Sequence, residues 1–154
     1  MLTVIESWLQ EQGFKQEENG NYVLVKNDIT FGFDLDKNFC WIDGEDIYAM
    51  KHIRRTNNIS EVEDIYFVCG FDLNFNPIDN LKYFKETSIG KTWLKTQGFV
   101  VKDDKWCLTI NGNKVIYNFD TKELSIISRD KKEGFEGKIN NEELIEKIIY
   151  YVFD

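Results

Sequence analysis

Carboxylate and amide side chains stand in one short segment at a spacing that could bind a divalent cation. Asp34, Asp36, Asn38 and Glu45 occupy positions 1, 3, 5 and 12 of an EF-hand-type calcium loop. Position 6 of such a loop must be glycine for the sharp turn, whereas this chain has Phe39 there. The β-branched and aromatic residues on either side predict strands rather than helices. We therefore expect a solvated hairpin turn that holds no metal and no cofactor.

A second segment resembles a phosphate-binding motif. Gly90-Lys91-Thr92 matches the last residues of a P-loop, but that pattern requires a glycine where Lys85 stands and a strand before the loop. The internal repeat described below places Gly90 inside a helix instead. Nucleotide binding at this segment is therefore not expected.

The residue types that serve as catalytic nucleophiles and bases form no recognisable constellation. The single histidine, His52, stands among three cations with no serine or cysteine placed beside it by a known signature, so we expect a surface residue. Asp34 and Asp120 each end a predicted strand and could form a carboxylate dyad, although both also suit a turn. We expect a protein that is not an enzyme. A carboxylate-metal enzyme that uses Asp34, Asp36 or Asp120 is an alternative.

The composition predicts one folded domain with an acidic surface. The 154 residues include 42% hydrophobic and 15% aromatic types and carry a formal net charge of -8, so a sizeable core can form without disulfides. The acidic balance argues against direct binding of nucleic acid or of an anionic membrane. Cys40, Cys69 and Cys107 are too widely spaced for a zinc site, and the first residues lack the pattern of a secretion signal. We therefore expect a cytoplasmic protein.

Comparison of the chain with itself reveals an internal repeat, from which its elements can be assigned. Residues 8–14 recur as residues 93–99 with five of seven positions identical. Three shorter matches follow in the same order: 29–34 with 115–120, 39–42 with 124–127, and 65–68 with 149–152. We interpret residues 1–73 and 87–154 as two copies of one unit. Residues 74–86, which hold the only proline, are interpreted as their connection.

Each copy is expected to begin and end with a helix and to carry three strands between them. Thr3 and Ser88 are expected to start the first helix of each copy, and Gly13 and Gly98 to stop it in a left-handed conformation. A second capping box at Ser60 and an Asn-Asn-Glu-Glu segment at 140–143 predict the closing helices. The strand-like runs are 22–25, 29–33 and 39–42 in the first copy and 106–110, 115–119 and 124–127 in the second.

The predicted fold class is α+β. The chain should contain two tandem copies of an α-β-β-β-α unit with antiparallel meanders, related by a pseudo-twofold axis and sharing one core. The copies could join edge to edge in one sheet or pack through their helices. Because Phe31 and Phe33 alternate with Thr30 and Gly32, one sheet face is expected to be apolar and covered by helices.

Acidic residues are concentrated in the first copy. Residues 1–80 contain 15 acids and six bases, whereas residues 81–154 contain 12 acids and 13 bases. This excess indicates an acidic face, flanked by the aromatic residues Trp41 and Tyr66, for a partner with a basic surface. The predicted partner-binding residues are Asp43, Glu45, Asp46, Tyr48, Glu61, Glu63 and Asp64.

These features predict an inhibitor or immunity-type protein that binds a protein partner. It would occlude a basic, nucleic-acid-binding surface, such as that of a nuclease or a CRISPR effector. Occlusion needs steric and electrostatic complementarity but no catalytic constellation. A chaperone or adaptor that holds an apolar segment of another protein is a second hypothesis, which requires an exposed apolar patch larger than a few hundred Å².

Overall fold

The first half of the chain forms five strands between two helices. The computed structural model describes residues 2–153, except for the side chain of Phe153. The elements of this half are helix α1 (Val4–Gln12), strands β1 (Lys15–Gln16), β2 (Tyr22–Lys26), β3 (Ile29–Asp34), β4 (Phe39–Asp43) and β5 (Ile47–His52), and helix α2 (Ser60–Val68). A 3-10 helix (Asn80–Tyr83) follows.

The second half has the same order of elements. It contains helix α3 (Lys91–Thr96), strands β6 (Val100–Lys102), β7 (Lys105–Ile110), β8 (Asn113–Asn118), β9 (Glu123–Ile127) and β10 (Gly134–Lys138), and helix α4 (Glu142–Phe153). The prediction of three strands per unit is therefore wrong. β1 and β6 are too short for a sequence pattern, β5 carries the buried Lys51, and β10 contains two glycines, a type that is depleted in strands.

The ten strands of the described chain form one antiparallel sheet. Their order is β1-β2-β3-β4-β5-β10-β9-β8-β7-β6, which confirms the α+β class. β5 pairs with β10, where Ala49 lies opposite Phe135, so the two halves join edge to edge. The two shortest strands, β1 and β6, occupy the outer edges. Short edge strands leave little unpaired backbone for edge-to-edge aggregation.

One row of apolar side chains crosses eight strands on the face that the helices cover. Neighbouring members of the row lie opposite each other in the strand registers, and the row is Leu24, Phe31, Ile42, Ala49, Phe135, Ile126, Val115 and Leu108. The six inner members are at most 2% exposed. Full burial of one such large side chain contributes about 1.5–3 kcal/mol, so this row is a main source of stability. The predicted apolar face of β3 is confirmed.

The helices supply the other layer of the core. Buried residues of α1, α2 and α4 belong to one hydrophobic cluster with the strand residues of both halves. The Trp8 ring of α1 lies 6.0 Å from Phe33 and 5.6 Å from Phe75, and the Tyr66 ring of α2 lies 5.4 Å from Phe31. α2 and α4 also pack against each other across the junction of the two halves.

Several helix ends follow the predicted capping. Gly13 ends α1 with φ of 85°, and the N–H of Phe14 donates to the carbonyl oxygen of Leu9 at 3.1 Å. Gly98, with φ of 98°, follows α3 with the same bonding pattern. This Schellman arrangement requires a left-handed residue that glycine adopts without strain. The Thr3 hydroxyl accepts a backbone N–H in the first turn of α1, as predicted.

The closing helices differ in how they start. The side chain of Asn141 accepts the N–H of Leu144 at 3.0 Å, which confirms the predicted start of α4. The capping box at Ser60 is wrong, because Ser60 is the first residue inside α2 and its hydroxyl donates to Asn58 instead. Gly90 is also not inside a helix. It precedes α3 in an extended conformation with φ of -106°, so Ser88 does not cap that helix.

The predicted alignment of the repeat differs from the strand registers in two strand pairs: the registers place Phe31 level with Val115 rather than Tyr117, and the match of 39–42 with 124–127 is shifted by one residue. Matching 39–42 with 124–127 places Trp41 against Ile126. Ile126 is buried on the helix-covered face, whereas Trp41 points to the other face of the sheet. A shift of one residue pairs Ile42 with Ile126 and keeps buried residues matched, since each single-residue step in a strand reverses the face.

Two fully buried tyrosines differ in the bonding of their hydroxyl groups. The Tyr117 hydroxyl donates to the carbonyl oxygen of Ile139 at 3.0 Å, whereas the buried Tyr66 hydroxyl has no hydrogen-bond partner among the described residues. We expect Tyr66→Phe to raise the free energy of unfolding by about 1 kcal/mol and Tyr117→Phe to lower it by about 1 kcal/mol. Chemical denaturation of both variants measures the difference, and equal losses would contradict the assigned bonding.

Candidate functional site

The sheet face turned away from the helices carries a grid of side chains on β3, β4 and β5. The strand registers define its three rows as Asp34-Phe39-His52, Gly32-Trp41-Met50 and Thr30-Asp43-Tyr48. Strands lie about 4.8 Å apart, and side chains on one face of a strand repeat at about 6.8 Å. All nine positions therefore share one surface patch, with Trp41 at its centre.

An open cleft of about 950 Å³ lies over this grid. Its apolar floor is formed by Phe39, Trp41, Tyr48 and Met50, and the charged residues that line it are Asp34, Lys37, Asp43, Asp130, Lys132 and Glu133. Carboxylates thus outnumber lysines in the lining. The cleft combines aromatic surface with a net negative charge, which suits a positively charged ligand.

The indole of Trp41 lies over the backbone of Gly32. A Cβ atom at position 32 would overlap the indole atoms Cε2, Cζ2 and Nε1, so only glycine leaves room for the ring in this position. Gly32 is not among the residues with positive φ, and its backbone conformation therefore does not itself require glycine. Glycine within a strand costs roughly 0.5–1 kcal/mol relative to alanine. The close approach of the indole is the physical reason for accepting that cost.

Four of the predicted partner-binding residues lie together at the β4–β5 hairpin. Asp43 lies opposite Tyr48 in the register, and Glu45 and Asp46 are exposed in the turn. Partial burial, then the charges of Asp43 and Glu136, raise the pKa of the Tyr48 phenol. The smaller contributions, from Asp43 and Glu136, reflect negative charge beside the phenol. Asp43 and Tyr48 line the cleft, and Glu45 and Asp46 lie beside it in the hairpin turn.

The other three predicted residues lie on α2, on the helix-covered side of the sheet. The carboxylate of Glu61 accepts the N–H groups of Arg54 and Arg55 at 3.1 and 2.7 Å, so it fixes the chain that leads into α2. Partial burial, then Glu63 and Glu61, raise the pKa of the Asp64 carboxyl. The structure therefore does not bring this acidic group together with the hairpin group.

Sequence reasoning missed much of the cleft. Met50 and His52 are not predicted as site residues because β5 is not predicted as a strand, and Phe39 is assigned to a predicted strand but not to the site. The alternation of Tyr48, Met50 and His52 along β5 is the signal that could have identified them. His52, expected at the surface, is half-buried with its ring 5.2 Å from that of Phe39. Conversely, Tyr66 was expected beside the acidic face, but it is 0% exposed and belongs to the core.

The aspartates predicted as possible metal ligands or catalytic groups do not form a site. The Asp34 carboxylate accepts the N–H of Lys37 at 3.1 Å, so the segment with EF-hand-type spacing forms a hairpin turn. Asp120 follows β8, and four strands separate β3 from β8, a distance of about 24 Å. These two aspartates therefore do not form a dyad. Within residues 2–153, no group of three metal-ligating side chains is placed to hold an ion.

Burial determines the chemistry of the cysteine in this half of the sheet. It raises the pKa of the Cys40 thiol to about 12, against a smaller opposing effect of Lys51. A thiol with so high a pKa is a poor nucleophile at neutral pH, because the thiolate is the reactive form. Cys40 lies on the helix-covered face opposite the cleft and behaves as a small hydrophobic residue.

Comparison of the chain with models of protein families, with curated proteins and with solved structures finds no match. Among the described residues, no helix has the length and apolar character needed to cross a bilayer. A functional conclusion therefore depends on the geometry and charge of the cleft.

Proposed function

We propose that this chain is a binding protein that docks its uncovered sheet face on a basic surface of another protein and so occludes it. The observation that carries the proposal is the cleft over β3–β5, which joins an aromatic floor to carboxylates at its rim. Aromatic residues supply much of the binding energy at protein interfaces, and rim charges speed association and select partners. The nucleic-acid-binding surface of a nuclease or a CRISPR effector has the required positive charge.

The distribution of charge along the chain supports this assignment of the docking face. The cleft lies mainly in the half with 15 acids and six bases, and Asp43, Glu45 and Asp46 extend its negative surface to the hairpin tip. Such concentrated charge attracts a basic surface from a distance, in a manner that salt weakens. No catalytic step is needed for this activity.

We also propose that the two halves are copies of one unit related by a pseudo-twofold axis between β5 and β10. The symmetric strand order about that pair and the repeated glycine stop after α1 and α3 support this view. The unit is a helix, five strands and a helix. Superposition of the halves in an experimental structure tests it: β2–β5 should coincide with β7–β10, and α2 with α4.

Charge reversal at the hairpin tests the docking face. We expect the triple variant Asp43→Lys, Glu45→Lys, Asp46→Lys to associate about tenfold more slowly at low salt than the wild type, because the steering field is lost. Partners are captured from a lysate of the natural host, identified by mass spectrometry and then purified for kinetic measurement. The melting temperature should change little, since all three side chains are exposed.

Two control variants test whether slower association is specific to the hairpin. The helix-side variant Glu63→Lys, Asp64→Lys and the remote variant Glu17→Lys, Glu18→Lys also reverse acidic residues, but neither pair lines the cleft. We expect both to associate with the partner at nearly the wild-type rate. An equal loss in all three variants, or association that is unchanged by ionic strength, would show that this face is not the docking site.

The chaperone or adaptor alternative has less support from the surface. The most exposed aliphatic side chains are Val25 at 63% and Val100 at 62%. Val25 is in β2 and Val100 is in β6, near opposite edges of the sheet, so the two do not join in one apolar patch. A chaperone groove would require such side chains to be contiguous.

A further inference from the structure

We propose that the Trp41–Gly32 pair is a receptor for a guanidinium group, and that the partner inserts an arginine side chain into the cleft above the indole. This inference rests on the proposed function, because it names the side chain by which the basic partner is recognised. Trp41 lines the cleft and its indole packs over Gly32, so the exposed part of the ring is the surface that the cleft offers to a ligand.

Two carboxylates lie on either side of the indole. Asp43 is two residues beyond Trp41 on β4 and points to the same face, at about 6.8 Å along the strand. Asp34 is the diagonal neighbour of Trp41, since Gly32 is the direct cross-strand partner of the tryptophan. Diagonal neighbours lie about 7–8 Å apart. A cation centred over the ring is therefore within reach of both carboxylates.

The planar shape of this site favours arginine over lysine. A guanidinium stacks flat on an indole and can still donate hydrogen bonds at its edges to carboxylates. A lysine ammonium is a compact and strongly hydrated charge, so it gains less from the ring face. Lys37 and Lys132 also line the cleft and reduce its negative charge. Stacking on Trp41 therefore provides the selectivity for arginine.

The glycine beneath the indole is the second part of the receptor. Gly32 lacks positive φ, so its identity is explained by the space that the ring occupies. Any larger residue would lift the indole from the sheet and into the cleft, where the guanidinium is expected to bind. The depth of the cleft over Trp41 thus depends on the absence of one side chain at position 32.

The indole N–H of Trp41 provides a direct readout of binding. The chain has four tryptophans, so ¹⁵N-labelled protein gives four indole signals, and Trp41→Phe identifies the one that belongs to Trp41. The probes are three peptides of alternating glycine with arginine, lysine or citrulline. We expect a saturable shift of the Trp41 signal with the arginine peptide, about fivefold weaker binding of the lysine peptide, and no shift with uncharged citrulline.

Substitution of the glycine tests the geometry. We expect Gly32→Ala to weaken binding of the arginine peptide about tenfold, because the displaced ring fills the site. Gly90→Ala is the matched control, since a Cβ there would lie 3.9 Å from the nearest neighbouring atom, Glu142 Oε1. Unmoved signals of the other three indoles show that the fold is intact. Trp41→Leu is the second variant should Gly32→Ala fail to fold. It lacks the reporting indole, so isothermal titration calorimetry with the arginine peptide measures its binding, which should also weaken about tenfold.

Three outcomes overturn the receptor: an equal shift with the citrulline peptide, arginine binding that moves other indoles but not Trp41, or a Trp41 signal that changes with protein concentration alone. The last would mean that a second copy of the chain occupies the cleft. Failure of the arginine receptor can be distinguished from failure of the proposed function. If Trp41→Leu binds the partner as tightly as the wild type while hairpin charge reversal weakens binding, the receptor is wrong and the docking face stands.

Discussion

Replacing Glu133 with glutamine is expected to lower the free energy of unfolding by about 3 kcal/mol. Glu133 precedes β10, and its carboxylate lies 3.3 Å from the ammonium of Lys51 in β5. The two side chains are only 16% and 6% exposed, so water screens their charges poorly. The same carboxylate oxygen accepts the N–H of His52 at 3.2 Å. Glutamine can keep that hydrogen bond but removes the charge that faces Lys51.

A double variant separates the ion pair from the packing around it. Replacement of both partners, Lys51→Met with Glu133→Gln, leaves no unbalanced charge, keeps similar volume and retains an acceptor for the His52 N–H, so it should recover most of the lost stability. Urea denaturation at low and high salt measures all three proteins. An exposed pair would weaken with salt, whereas the loss in Glu133→Gln should change little. A loss below about 0.5 kcal/mol would mean that the pair behaves as an exposed one.

This ion pair shows why the sequence predicted some strands and not others. The alternation of Phe31 and Phe33 with small or polar residues in β3 revealed a half-buried strand, and the structure confirms its buried face. β5 has Lys51 at a buried position, so its pattern looks polar where the sheet is apolar. The contact with Glu133, which is distant in the sequence, helps to make that position acceptable. Local pattern cannot reveal such a partner.

The candidate site was predictable only in part, because local sequence pattern does not show which residues of different strands meet. The acidic hairpin residues Asp43, Glu45 and Asp46 are consecutive enough to be recognised from composition. Asp43 lines the cleft, and Glu45 and Asp46 are exposed in the adjoining turn. The floor is different, because it is assembled from alternate residues of β4 and β5 and from the glycine at position 32 of β3. Strand register brings these residues together. The acids of α2 have a similar composition, yet the fold places them on the other side of the sheet.

Phe135→Ala is expected to lower the free energy of unfolding by about 4 kcal/mol. Phe135 is 0% exposed and lies at the centre of the apolar row, opposite Ala49 of the other half. Gly137 leaves space for its ring, since a Cβ there would lie 3.0 Å from Cζ of Phe135. The ring therefore fills a volume that residues on both sides of the junction leave open.

Loss of this ring creates a cavity where the two halves share their core, so both halves should lose stability together. Phe119→Ala is the matched control, because Phe119 is only half-buried at the periphery of the core and should cost about 1 kcal/mol. Chemical denaturation followed by circular dichroism and by tryptophan fluorescence should give coincident single transitions for Phe135→Ala. Separate transitions for the two probes would mean that the halves unfold independently. In that case the edge-to-edge sheet would join two cores, and Phe135 would stabilise only its own.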